Sequence, residues 1–241
     1  VEFLSYARQV VEQTNLLEER YKSHTETREL FSVSSQHYAF VVNAFVSLLK
    51  RADMTRYELF LRETRTYEII EDVKNFRSEI GVLFLNGYNR DVLTKMFDDN
   101  RLTYTSLFKA RPHIFVSKSN PLAKHKVVSL EDLEDFPYLS YDQGIHNSFY
   151  YSEEILSQIP HKKSIVVSDR ATLFNLLIGL DGYTIATGIL NSNLNGDNIV
   201  SIPLDIDDEI DIVYLKHEKA TLSKMGEKFL DNLVKEVTFD N

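Results

Sequence analysis

Ser34, Ser35 and Gln36 stand where a short apolar run, 29–34, gives way to a segment with helical spacing that begins near Tyr38. A hydroxyl at a helix start leaves backbone N–H groups pointing outward, with the helix dipole behind them. That is the chemistry of an anion or carboxylate pocket, and equally of a plain helix cap. Asn86 and Gly87 follow the apolar run EIGVLFL at its carboxyl end, and Thr103 and Phe108 lie on a run leading into Pro112. Asp142, Gln143, Gly144, Asn147 and Ser148 belong to the polar stretch YDQGIHNS. Two readings of that stretch stand, a ligand-facing loop or an exposed turn capped at Asn147 or Ser148. Arg65 either meets an anion or pairs with Glu63 or Glu68. The aromatic group Phe149, Tyr150 and Tyr151 reads as core and groove lining.

Other chemistries lack their patterns. There is no G-x-S-x-G elbow, P-loop or G-x-G-x-x-G turn, so no catalytic residue or cofactor is assigned. The seven histidines form no His-x-His or His-x-x-x-His pair, and the acidic run 205–211 lacks the glycine and terminal glutamate of a calcium loop, so no metal site is assigned. The cysteine count is zero, which excludes disulfides and thiolate zinc sites.

The elements that must position these residues alternate. Strands are expected at 29–34, 57–61 and 79–85, and helices at 38–49, 66–76 and 89–98. Apolar strands alternating with helices predict a mostly parallel sheet covered on both faces. A second unit follows: strands at 113–117, 138–141, 164–168 and 183–187, with helices at 147–158 and 171–180. The strand near 210–215 and the helix 222–237 are left over, and fold back onto the first unit. Two α/β lobes joined by two crossings form a cleft, where open α/β sheets place their ligands.

Ahead of them, Phe3, Ala7, Val10, Thr14, Leu17 and Tyr21 are spaced 4, 3, 4, 3, 4. This helix either packs on its own domain or pairs with a second copy, with Phe3, Ala7, Val10 and Leu17 at the dimer seam.

The chain has 241 residues, 27 Lys and Arg against 36 Asp and Glu, and a formal charge of −9. That balance lacks the basic footprint of a nucleic-acid-binding domain. No apolar stretch approaches the ~18 residues of a membrane span, and no signal peptide is legible, so a cytoplasmic location is expected. A first residue of Val reads as part of a longer protein.

Several strings, in order, resemble the effector-binding part of LysR-type transcriptional regulators: FLSYARQVVEQTNLLEERY, ELFSVSSQHYAFVVNAFVSLL, EIGVLFL, HIFVSKSNPLA with VSLEDLEDFPYLSY, and VSDRATLFNLLIGLDGYTIATG. The resemblance implies a linker helix (1–22) and two lobes like those of type II periplasmic binding proteins, 30–108 plus 213–241 and 109–212. It implies a small-molecule effector in the cleft, touching Ser34, Ser35, Gln36 and Thr187 among others. It further implies a homo-oligomer, dimer or tetramer, and DNA contact through an N-terminal winged helix-turn-helix that this chain lacks. SSQHY is faintly similar to the loop of cysteine-regulon members, which points to an amino acid or a sulfur-metabolism precursor. Two departures stand out: Leu180-Asp181-Gly182 replaces the commoner Gly-Leu-Gly, and Thr187-Gly188 stands where many members carry Pro. The alternative is an exported solute-binding protein of the same fold.

Overall fold

The computed structural model describes residues 29–51, 56–190 and 197–238, together with Val11 and Thr14, which are helical. The candidate seam residues Phe3, Ala7, Val10 and Leu17 lie outside the described residues.

The strands are β1 (Glu29–Ser35), β2 (Tyr57–Glu63), β3 (Ile80–Leu85), β4 (Leu102–Ala110), β5 (His113–Ser117), β6 (Tyr138–Tyr141), β7 (Ser164–Val167), β8 (Tyr183–Ala186), β9 (Ile199–Pro203) and β10 (Ile210–His217). The helices are α1 (Ala39–Arg51), α2 (Thr66–Lys74), α3 (Arg90–Asp99), α4 (Arg170–Leu180) and α5 (Lys224–Thr238). One sheet has the order β2-β1-β3-β10-β4, the other β7-β6-β8-β5-β9. In the first, β1 runs parallel to β2 and β3, and β10 runs antiparallel to β3 and β4. In the second, β6 runs parallel to β7 and β8, and β5 runs antiparallel to β8 and β9.

β3 is buried at every position because helices cover both faces of its sheet, so both side-chain sets of an almost purely apolar strand leave water. On one face α1 and α5 pack together, and Phe31 meets Phe229 at 5.6 Å between ring centroids. Ser47 Oγ donates to Glu236 Oε1 at 2.7 Å across the same helix pair. Ile69, Ile70 and Val73 of α2 are buried in a cluster with Leu83, Leu93 and Phe97.

Two local expectations change. β4 continues to Ala110, because ladder pairing with Ile210, where β10 starts as expected, holds that residue in the first sheet. The helix expected over 147–158 is a single 3-10 turn at Phe149–Tyr151 followed by irregular chain. Glu153 and Glu154 are buried there, and Leu156 has a φ of 60°, a backbone no α-helix accommodates. Ser129 N–H and Oγ both donate to Asp132 Oδ2, at 2.8 and 2.9 Å, ahead of a 3-10 turn.

Gly81 on β3 marks where α2 approaches the sheet. A Cβ there would lie 2.8 Å from Ile69 Cγ2 and 2.9 Å from Val73 Cγ2. Gly81→Ala is expected to destabilise the fold by about 1–3 kcal/mol through overpacking, read as a lower urea midpoint.

Candidate functional site

Residues of both lobes line a cavity of about 630 Å³, part of it open to solvent. His37, Tyr38, Phe40, Phe84 and Ile210 contribute from the first lobe; Phe115, Tyr141, Glu153, Glu154, Arg170 and Thr187 are among those from the second.

A buried carboxylate sits at its polar end. Glu153 Oε2 accepts the backbone N–H of His37 at 2.8 Å, just ahead of α1, and lies 2.8 Å from His37 Nδ1. Because a carboxylate accepts, the proton of this bond sits on Nδ1. Gln143 Nε2 donates to Glu153 Oε1 at 3.0 Å, and Gln143 Oε1 accepts the Thr66 N–H at 3.1 Å. Thr66 Oγ1 accepts from Gln36 Nε2 at 2.6 Å, while Gln36 Oε1 takes the Tyr38 hydroxyl at 2.6 Å and the Phe84 N–H at 3.1 Å. The chain of bonds therefore runs from α1 and β3 in one lobe to Glu153 in the other without a gap. His37 also stacks on Tyr141, with centroids 4.1 Å apart.

Further contacts cross between the lobes. Arg65 Nη2 meets Asp142 Oδ2 at 2.5 Å and Arg65 Nε donates to Asp142 O at 3.1 Å. Gly144 turns back beneath them with φ +60°, and a Cβ there would lie 2.7 Å from Arg65 Nη1. Arg170 Nη2 lies 3.3 Å from Glu63 Oε1. Tyr67 stacks on His146 at 3.6 Å, and Tyr88 on Tyr150 at 4.9 Å.

These environments shift several acid constants. Burial works against charge on His37, but the bond and charge of Glu153, with Glu63 beyond it, outweigh burial and raise its pKa above 6.5. Burial lifts the Glu154 carboxyl well above the usual carboxylate range, and neighbouring Glu153 adds to it. Glu63 is raised by burial against the pull of Arg170 and His37. The Gly144 N–H and then Arg65 hold Asp142 below its ordinary range.

The expected site residues divide. Gln36, Gln143 and Asp142 take part in the inter-lobe bonds, Gly144 caps Asp142 through its N–H at 2.9 Å, and Thr187 lines the cavity. Phe108 lies behind it, edge-on to Phe40 at 5.5 Å. Ser35 Oγ is turned onto Gln36 O. Ser34 is off the wall: its Oγ donates to Asp72 Oδ2 at 2.6 Å and sits 2.7 Å from Ser78 Oγ. Asn86 is occupied with Asp208 and with the N–H groups of Tyr88 and Asn89, beside exposed Gly87. Thr103, Asn147 and Ser148 are exposed and off the cavity wall. A carboxylate does meet the backbone just ahead of α1, but it is Glu153 of the same chain, held by His37, and neither Ser34 nor Ser35 contacts it. His37, Tyr141, Glu153, Glu154 and Arg170 escaped the sequence reading. The signal for them was an adjacent glutamate pair inside the otherwise apolar and aromatic run FYYSEEIL.

Among the described residues no helix is long and apolar enough to cross a membrane, and no group of three His, Asp or Glu could hold a metal ion. Over residues 34–238 the sequence matches the family described as LysR substrate binding domain. The chain belongs to that family. It is thus an effector-sensing regulatory domain of the LysR type, with the two-lobed architecture of periplasmic binding proteins. No curated protein sequence matches it. Among solved structures it is similar to full-length CbnR complexed with its target DNA, at 13% identity and TM-score 0.65, covering 98% of this chain and 80% of that one. HinK, a LysR family regulator from Pseudomonas aeruginosa, gives 14% and 0.56, covering 98% and 79%. The effector binding domain of QuiR in complex with shikimate gives 16% and 0.57, covering 87% and 97%.

Two outcomes follow for this LysR domain. Glu63, Glu154 and His37 all hold protons more tightly in the folded chain than in the unfolded one. Their contribution to stability is therefore greatest on the acid side and is lost as pH rises, starting near 4.5 for the carboxyls and 6.5 for the imidazole. The urea midpoint is expected to fall between about pH 5 and 8, and Glu154→Gln to flatten that slope; an unchanged slope would contradict the assignment. Removing either member of the buried His37–Glu153 pair is expected to cost about 3–5 kcal/mol. The double variant should cost less than the sum of the two, measured as a double-mutant cycle.

Proposed function

We propose that the effector of this LysR domain binds in the inter-lobe cavity, and that its binding changes how the lobes are held together. The carrying observation is that the cavity wall and its hydrogen-bonded polar end draw on both lobes. A ligand there contacts two bodies at once, and it shifts their arrangement by its differential affinity for the two states. The lobes taken as moving units follow the two sheets, 29–110 with 210–238 and 113–203, so the expected boundaries at 108/109 and 212/213 shift to the end of β4 and the start of β10. The effector is a small metabolite, amino-acid-like in size. The domain works within a cytoplasmic homo-oligomer whose DNA contacts lie in a separate N-terminal domain, and it binds without turning its ligand over. The acidic charge of this chain supports that division of labour.

A panel of amino acids, O-acetylserine, homoserine derivatives and aromatic acids tests this reading by thermal shift. A ligand at ~100 times its Kd stabilises by ~2.7 kcal/mol, a rise of several degrees for a chain of this length. The hit should slow amide exchange in 36–40 and 184–187 together and be recovered unchanged. Protection confined to one lobe would contradict the proposal.

A further inference from the structure

We propose that this cavity selects a small amine with an apolar body, and that Glu154 supplies the counter-charge for its ammonium group. The inference rests on the cleft reading above and goes beyond it by naming the ligand's chemistry. Three carboxyl side chains, Glu63, Glu153 and Glu154, stand in or beside the cavity, against two basic ones on its wall, His37 and Arg170. Both basic groups are engaged: His37 with Glu153, and Arg170 with Glu63. The anion position before α1 is already filled by Glu153, so an incoming carboxylate finds neither an open cradle nor an unpaired cation on the wall.

Glu154 is the group left over. It is 3% exposed, its Oε1 accepts the Tyr141 N–H at 2.9 Å, and its Oε2 has no hydrogen-bond partner among the described residues. A buried polar atom without a partner, on the wall of a cavity, is a position that a ligand can satisfy. The rest of the wall is mostly apolar, through Phe40, Phe84, Phe115, Leu173, Phe174 and Ile185. An ammonium on a short hydrocarbon body matches both features.

Binding carries a proton balance. In the empty cavity burial, with Glu153 beside it, raises the Glu154 carboxyl well above the usual carboxylate range. When an ammonium arrives, any carboxyl proton leaves to solvent and the ammonium N–H donates to the carboxylate that remains, so binding releases protons in proportion to the protonated fraction of Glu154. The groups facing Glu154 are Glu153 beside it, Tyr138 and Tyr141 of β6, and Tyr38 before α1, with His37 and Arg170 across the cavity. The three tyrosines are raised well above their ordinary range by burial and stay neutral.

Calorimetric titration of the whole chain at pH 7 tests this, with 3-methylbutylamine and phenethylamine as probes and 3-methylbutanoate and 3-methylbutanol as controls. Runs in two buffers of different ionisation enthalpy count the protons. The expected result is amine binding at least tenfold tighter than either control, with net proton release that shrinks as the pH is raised. Glu154→Gln, close to isosteric, should weaken the amine at least tenfold and abolish the release, with an unchanged circular dichroism spectrum. Ala186→Leu, which fills the cavity, should weaken every ligand. Tighter binding of the carboxylate, or binding of neither amine, overturns the amine assignment and leaves the cleft reading standing. Proton release that persists in Glu154→Gln also overturns it. Amine binding that survives Ala186→Leu contradicts the amine site and the cleft reading together.

Discussion

A carboxylate taken out of water must find its hydrogen bonds inside the protein, and Glu153 finds most of its own on the opposite lobe. Three donors converge on it, two of them from His37 and one from Gln143. The arrangement of the lobes follows from this requirement. If the cleft opens, Glu153 and His37 must both be rehydrated, and Gln143 leaves the Thr66 N–H at the start of α2 without its acceptor. The fold elsewhere serves this contact. β3 and α2 fix Gln36 and Thr66 through buried packing, and the irregular chain after β6 turns both glutamates inward.

The same economy explains why the cavity is polar at one end and apolar at the other. A charge pair is tolerated in a low-dielectric setting when each member is satisfied, as His37 and Glu153 are. Glu154, one residue on, keeps its charge suppressed instead. The two adjacent glutamates differ because their partners differ: Glu153 meets three donors, whereas one oxygen of Glu154 has no hydrogen-bond partner among the described residues. A sensor needs both kinds of group: one that holds the resting arrangement and one that a ligand can complete.

Much of the fold was legible in the sequence. The period-2 and period-3.6 segments located the alternating strands and helices, and the all-apolar run 80–85 identified a central strand. The candidate site was legible in its scaffold and less so in its occupants. Gln36 and Gln143 join the inter-lobe bonds and Thr187 lines the cavity because strand ends set loop positions, and loop positions follow from chain order. Ser34 went elsewhere because strand residues alternate faces, and its side chain bonds Asp72 and Ser78. Glu153 and Glu154 were hidden for a different reason. Their segment carries a helix-like pattern, and charged residues on a presumed helix read as solvated. The contacts that pull them inward come from residues more than a hundred positions away in the case of Glu153, which no local pattern encodes.

The distance across the cleft tests the central claim most directly. The chain has no cysteine, so spin labels at Asp91→Cys on the first lobe and Ile145→Cys on the second, both exposed, report that distance alone. With Glu153 intact the account predicts one narrow distribution, and with Glu153→Ala a longer and broader one. An identical narrow distribution in the Glu153→Ala background would show that something other than this carboxylate holds the lobes together.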